Sequence, residues 1–340
     1  IPDSVIYNVE KLSLSITHKT KKEFDKACLI FQWVRSNISY DTEAYRKGKK
    51  RINGNATDVL RRKEAVCQGY AQLYAELCQK AGLEAVMVDG HSKQGNTPPN
   101  MEESDHAWNA VKIDEKWFLL DVTWASDVEG QKYFCAPPEA FIKEHLPSDP
   151  MWQLLGNPIT VQQFKRGYLP AQSDTLFNFN DSIELLVNLP VSEQKIKTAE
   201  NTFSFNPTES NKKLLGQAYV DYAISLTPAA AELQKKGNAD SLFRVQEKMI
   251  KYFRLAKKQA PLFNWQKDNF ANVLVNQSVN LSVGLINNKS FPACQKILQN
   301  MKKLLLEAKT MLEEETKPTF PSQTLQICEE YLKWVDSYWD

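Results

Sequence analysis

No apolar run in this chain approaches the ~18 residues a helix needs to cross a bilayer. Nor does one sign of charge dominate, with 42 Lys and Arg against 41 Asp and Glu and a formal charge of +1 over 340 residues. The single basic run, Arg46 to Arg51, is short, contains a glycine and lacks interleaved aromatics, so it reads as a solvated loop. Nucleic acid and membrane spans are therefore not expected. Cysteine is sparse and scattered. Cys28, Cys67, Cys78, Cys135, Cys294 and Cys328 show no paired short spacing, so neither a zinc site nor a dense disulfide framework is suggested. Acidic residues form no cluster at calcium-loop spacing. No metal, no cofactor and no calcium dependence is expected. The chain opens on Ile1 rather than methionine, so its compartment is open. It reads as secreted or periplasmic if a signal was removed, and otherwise as cytoplasmic.

What is present is an ordinary globular composition, 42% hydrophobic and 24% charged, with length enough for two domains. Phe24, Ala27, Cys28, Phe31, Val34 and Ile38 recur at helical spacing, predicting a helix over 22–38, then a polar loop to about 56. A short strand is expected from Glu84 to Val88 and a loop over 90–104. HAWNAVKIDEKWFLLDVTW reads as two extended runs turning at Asp114-Glu115, a hairpin, with another strand near Lys132–Cys135. Residues 173–210 read as a connector with short extended pieces, Leu176 to Phe179 and Ile183 to Leu189. Beyond 211 only helical segments are suggested, at 211–225, 239–260, 264–287, 290–315 and 322–338. Leu215-Gly216-Gln217-Ala218-Tyr219, Ala260-Pro261 and the break at Asn287–Ser290 give that part tetratricopeptide-like touches. Its poor repeat period equally suits a plain bundle.

The residues EAVCQGYAQLYAELC, 64–78, place Cys67 where a polar pattern becomes helical. Ala71, Tyr74, Leu77, Cys78 and Ala81 then mark one helix face, ending at Gly82, which suits a left-handed cap. A thiol in the first turn sits among unpaired N–H groups at the positive end of the helix dipole, a setting that favours thiolate. The plain alternative is a small buried side chain. Cys28 and Cys78 fall on apolar helix faces and read as core.

A cysteine nucleophile needs a base and a group to orient it. The four histidines are His18, His91, His106 and His145. With a two-residue turn at Asp114-Glu115, His106 and Asp121 become diagonal neighbours on one face, roughly 7 Å or less apart between Cβ atoms. A carboxylate bonded to one ring nitrogen fixes the tautomer and presents the other nitrogen to a thiol. An incidental His–Asp pair on a sheet is the alternative.

Four blocks carry a resemblance over about residues 10–170. They are FQWVRSNISYDTEAY, VCQGYAQLYAELCQKAGLEAVMVDGHSK, HAWNAVKIDEKWFLLDVTWAS and EHLPSDPMWQLLGNPITVQQF, in that order. Together they resemble the transglutaminase-like cysteine enzymes, in their kyphoscoliosis-peptidase branch. The resemblance implies Cys67 as nucleophile, His106 as base and acid, and Asp121 as orienter. The Cys67 N–H is the first oxyanion candidate and Tyr40 a second. Trp108 and Trp124 read as core that could also wall the cleft, and His91 could line it. His145, ahead of Leu-Pro, is set aside as structural.

The fold expected is α+β, a papain/transglutaminase-like domain at 1–172 with its cysteine helix on an antiparallel sheet. A connector at 173–210 and an all-α domain at 211–340 follow. The function expected is a thiol enzyme acting on peptide or amide bonds through a thioester. The alternatives are a protein-glutamine acyl transferase or a non-enzymatic interaction scaffold. A protein or peptide substrate is implied, with the helical half available to a protein partner.

Overall fold

The computed structural model describes residues 3–47, 55–93, 99–126, 130–167, 177–286, 291–313 and 323–338. Two compact units emerge, one of residues 1–189 with 201–211, the other of residues 190–200 with 212–340.

The first unit is α+β. Helix Glu23–Asn37 buries Ala27, Ile30, Phe31 and Val34, the i, i+3, i+4, i+7 stripe of an amphipathic helix. Against it lies helix Cys67–Lys80, with Tyr70, Leu73, Tyr74 and Leu77 in the shared core. Polar tips of that face find backbone partners. Tyr70 Oη donates to the Ile38 carbonyl at 2.6 Å, and the Leu77 carbonyl accepts from Ser13 Oγ at 2.7 Å. Such bonds let buried hydroxyls remain satisfied while fixing helix register. Gly82, at φ 82°, ends the cysteine helix in the left-handed region as its sequence suggests.

Among the described residues, six strands complete the unit. β1 (Ser39–Tyr40) and β2 (Glu64–Ala65) form a short parallel pair. β3 (Ala85–Ser92), β4 (His106–Ile113), β5 (Lys116–Leu120) and β6 (His145–Pro147) form an antiparallel sheet in the order β5-β4-β3-β6. The β4–β5 hairpin turns at Asp114-Glu115, both at positive φ (47° and 63°), as a two-residue primed turn requires. Ile113 pairs with Lys116 and Asn109 with Leu120, the register that turn dictates.

The structure corrects several expectations. β3 runs on to Ser92, because its last residues find a partner in β6, which the local sequence does not announce. Residues 130–133 form a 3-10 turn rather than a strand, and only Ala136 bridges to Leu119. The pieces expected to be extended in 173–210 are helical over Phe179–Val187 and Val191–Phe205. A short apolar run such as Ile183–Leu189 cannot be told from a strand by pattern alone. Here Asn178 caps the helix by accepting from the Asp181 N–H, and Ile183 and Leu186 enter the main core on one face. Most of the basic run, all of the Asn287–Ser290 break and Leu176 lie outside the described residues.

The second unit is all-helical in its described residues. Helices Glu209–Ser225, Ala239–Gln259, Asn264–Ile286, Phe291–Glu313 and Gln323–Asp336 stand where periodicity places them, and Thr227–Lys235 is an additional one. Phe253 stacks on Phe270 at 4.9 Å, and Leu274, Met301, Leu305 and Cys328 are fully buried. At Gly216 an added Cβ would lie 3.3 Å from Gln259 Cβ, so the two helices approach closely there.

The first compact unit extends past residue 172, which bears on where the chain can be cut. Ile183 and Leu186 belong to its core, Asn206 Nδ2 donates to the Met101 carbonyl at 2.7 Å, and Thr208 Oγ1 to the Glu102 carbonyl at 3.0 Å. A fragment ending at 211 should unfold in one cooperative transition. One ending at 172 loses two buried aliphatic side chains, each contributing about 2–3 kcal/mol, and should melt about 10 °C or more lower. Thermal denaturation of the two fragments checks this, and equal melting temperatures would refute it.

Candidate active site

Cys67 is the first residue of its helix. Val66, the cap position, makes no side-chain cap bond to the first-turn N–H groups. Two residues on, Gly69 lets the helix start press against its neighbours, since a Cβ there would stand 2.7 Å from Ala65 Cβ. The helix packs on the sheet face that carries Ala107 and Asn109. Asn109 Nδ2 fastens it by donating to the Ala71 carbonyl at 2.8 Å and the Val86 carbonyl at 3.1 Å. Cys67 itself clusters with Ala71 and Ala107, which puts the thiol beside the start of β4. There it meets His106, within hydrogen-bonding reach of the ring.

His106 Nε2 donates to Asp121 Oδ2 at 2.7 Å, which leaves Nδ1 as the nitrogen available to the thiol. Asp121 follows the end of β5 and is wholly buried. Its Oδ1 accepts from the Thr123 N–H at 2.8 Å and the Trp124 N–H at 3.1 Å. Its Oδ2 accepts a second bond from His145 Nε2 at 2.9 Å. The carboxylate thus accepts four hydrogen bonds, about the full capacity of its two oxygens.

Charge follows from these contacts. Burial works against ionised Asp121, but His106 and His145 outweigh it and hold its carboxyl well below the usual carboxylate range. Burial likewise works against a charged His106 ring. The Asp121 carboxylate, with a smaller contribution from Cys67, overcomes it and raises the ring's pKa. At His145 burial prevails over Asp121 and the pKa falls, so this ring is the neutral donor.

His106, Asp121 and His145 also offer ligand atoms within 4.8 Å of one another. The 2.7 and 2.9 Å separations are hydrogen bonds. Ligands around a tetrahedral ion at ~2.1 Å stand about 3.4 Å apart, so the donor set fits a proton network better than a metal.

Gly90 of β3 makes the arrangement possible. It pairs with His106 on one side and Pro147 on the other, while Ser92 pairs with His145. Paired residues share a face, so both imidazoles rise from the same side of the sheet with β3 between them. A Cβ on Gly90 would lie 2.3 Å from Trp108 Cη2 and 2.4 Å from the Leu146 carbonyl oxygen.

The other expected site residues divide. Tyr40, half-buried, senses the site. Burial, then the nearby Cys67, pushes its phenol well above its ordinary value, so it stays a neutral donor. Trp124 stacks on the His106 ring at 5.2 Å between centroids. Trp108, 1% exposed, packs edge-on against Phe141 and His145 and walls no open cleft. His91 is not brought into the cluster. Strand alternation turns it to the opposite face from His106, and its Nδ1 lies 3.1 Å from the Asn100 carbonyl oxygen. His145, set aside by the sequence, is instead bonded to Asp121. Its signal was present in the fourth resembling block, but no local pattern ties that block to the hairpin.

Residues 10–122 match the transglutaminase-like superfamily model. The chain is 33% identical over 171 residues to the mouse kyphoscoliosis peptidase and 31% identical over the same length to the human one. Each match covers 46% of this chain and 26% of the relative, so the chain spans about a quarter of the length of the curated relatives it matches. A solved structure of a TGase aligns with 36% of this chain and 31% of that one, at 26% identity and a TM-score of 0.28. Over residues 10–122 the chain is thus similar to the transglutaminase-like superfamily.

Two outcomes follow from this geometry. Burial raises the pKa of Cys28 and Cys135, and lifts Cys78 to about 12 and Cys328 to about 11, whereas Cys67 stands beside the His106 imidazole. Iodoacetamide at neutral pH, followed by peptide mapping, should therefore label Cys67 first; faster labelling of another cysteine in the folded protein would refute this. Gly90→Ala should destabilise the first unit by about 1–3 kcal/mol through overpacking and slow that labelling, as urea titration and alkylation rates would show.

Proposed function

We propose that the transglutaminase-like domain of this chain is a thiol enzyme that cleaves amide bonds through a thioester. The observation that carries this reading is the continuous chain from the Cys67 thiol through His106 to a buried Asp121. In the reading, Cys67 passes its proton to His106 and attacks the amide carbonyl carbon. The negative charge that develops on the carbonyl oxygen is met by the Cys67 N–H at the uncapped helix start, with the Tyr40 hydroxyl as a second donor. His106 then returns the proton to the leaving amine and the thioester remains. Water resolves the thioester as the His106 ring takes one of its protons. Asp121 holds the ring's tautomer and stabilises its charged form.

Peptide hydrolysis is the reading favoured, supported by the resemblance to relatives that carry the name peptidase. Transfer to an amine runs through the same thioester and differs only in the acceptor. A scaffold without activity would leave four hydrogen bonds on a buried carboxylate with no task. Residues 212–340 contain none of these side chains and are proposed to engage a protein partner or substrate.

The test pairs a peptide-hydrolysis assay with incorporation of a labelled amine into a casein-like acceptor. Hydrolysis should exceed incorporation, and Cys67→Ala should lower it by about 10³-fold or more. Incorporation alone would shift the reading to acyl transfer. Absence of both in a folded protein, or full activity in Cys67→Ala, would overturn it.

A further inference from the structure

His145 is a buried titratable side chain for which the reaction above has no use. Four aromatic rings enclose it. Phe141 stacks on it at 4.1 Å between centroids, and Trp108, Trp124 and Tyr133 stand at 5.0, 4.4 and 5.9 Å. Such a cage suits phenylalanine. An imidazole in it leaves Nδ1 buried with no hydrogen-bond partner among the described residues, a desolvation cost that a structural side chain would avoid. What the imidazole gains is the one bond from Nε2 to Asp121 Oδ2.

We infer that His145 is a positioning residue, a neutral second donor that keeps the Asp121 carboxylate ionised and aimed at His106. This rests on reading Cys67, His106 and Asp121 as a thiol enzyme site. The charged and titratable groups facing His145 are few. Asp121 and His106 share the bond network. Glu144, its chain neighbour, accepts from the Tyr133 hydroxyl at 3.1 Å, and Lys132 lies over the Tyr133 ring. None of the last three takes the Nδ1 lone pair.

The division of labour is physical. A carboxylate with no solvent access holds its charge only through its donors. Thr123 and Trp124 supply two by backbone and fix Oδ1. His106 supplies a third, but its ring changes charge as it accepts and returns a proton. His145 contributes the donor whose charge need not change. Without it Asp121 gains affinity for a proton, and a protonated Asp121 no longer stabilises the imidazolium.

The experiment is NMR on the full chain with labelled histidine and aspartate, alongside Cys67 alkylation rates. In the wild-type protein His145 should be the Nε2–H tautomer and take up a second proton only below the range of an ordinary imidazole, because burial disfavours its charged form. The Nδ1–H tautomer, or ordinary titration of this ring, would overturn the inference without any variant. His145→Phe should preserve the fold and raise the pH at which Asp121 takes up its proton by about one unit or more. It should also slow alkylation of Cys67 about tenfold. His145→Gln, whose amide can donate to Oδ2, should recover most of both. In an Asp121→Asn background His145→Phe should have little further effect, because its action passes through that carboxylate. An unmoved Asp121 step in His145→Phe, or a full effect without Asp121, would overturn the role. If the Phe variant does not fold, the wild-type tautomer and the Gln variant decide. Failure of the amide-cleavage assays with these NMR results intact would count against the enzyme reading and not against the positioning of Asp121.

Discussion

One buried carboxylate sets the terms for the first unit. Asp121 has no exposed surface, and an ionised group so placed survives only where each lone pair meets a donor. Its donors come from the loop that follows β5, from the first residue of β4 and from β6 at the far edge of the sheet. Sheet order, hairpin register and the loop after Leu120 are therefore coupled through a single side chain. Moving any of them strands a charge in the core, which costs far more than losing one ordinary contact.

Around that charge the packing is aromatic. Trp124 lies on one face of His106, Phe141 on one face of His145, and Trp108 closes the space behind both. Flat, stiff rings define imidazole orientation at little entropic cost, and they keep water from competing for Asp121. The price is room, met at Gly90, where the sheet gives up a side chain so that the Trp108 indole can lie over β3. The thiol is set by a different device, the clamp of Asn109 on the Ala71 carbonyl across the other sheet face.

Much of this was legible in the sequence, for reasons that are local. The hairpin register follows from a two-residue turn, and from it the approach of His106 to Asp121. The helix of Cys67 follows from its apolar stripe and its closing glycine. What was not legible depends on distant strands. Residues 90–92 pair with β6 across more than fifty residues of chain, so they look like loop until the partner is placed. His145 looked structural because nothing near it in sequence demands a donor. His91 looked like a loop residue because the extent of β3, and hence the face each residue takes, was unknown. The helix at 179–187 was hidden by its shortness, since a brief apolar run serves either period.

The span of chain that builds the cluster has a bearing on biosynthesis. Synthesis proceeds from the N-terminus, so Cys67 leaves the ribosome first, then His106, then Asp121, and β6 last. Until β6 docks, the carboxylate lacks a donor and the sheet lacks an edge. A nascent chain therefore holds Cys67, His106 and Asp121 before it holds the strand that completes their surroundings. Completion of the sheet by its last strand is thus the step that closes the hydrogen-bond network around the carboxylate.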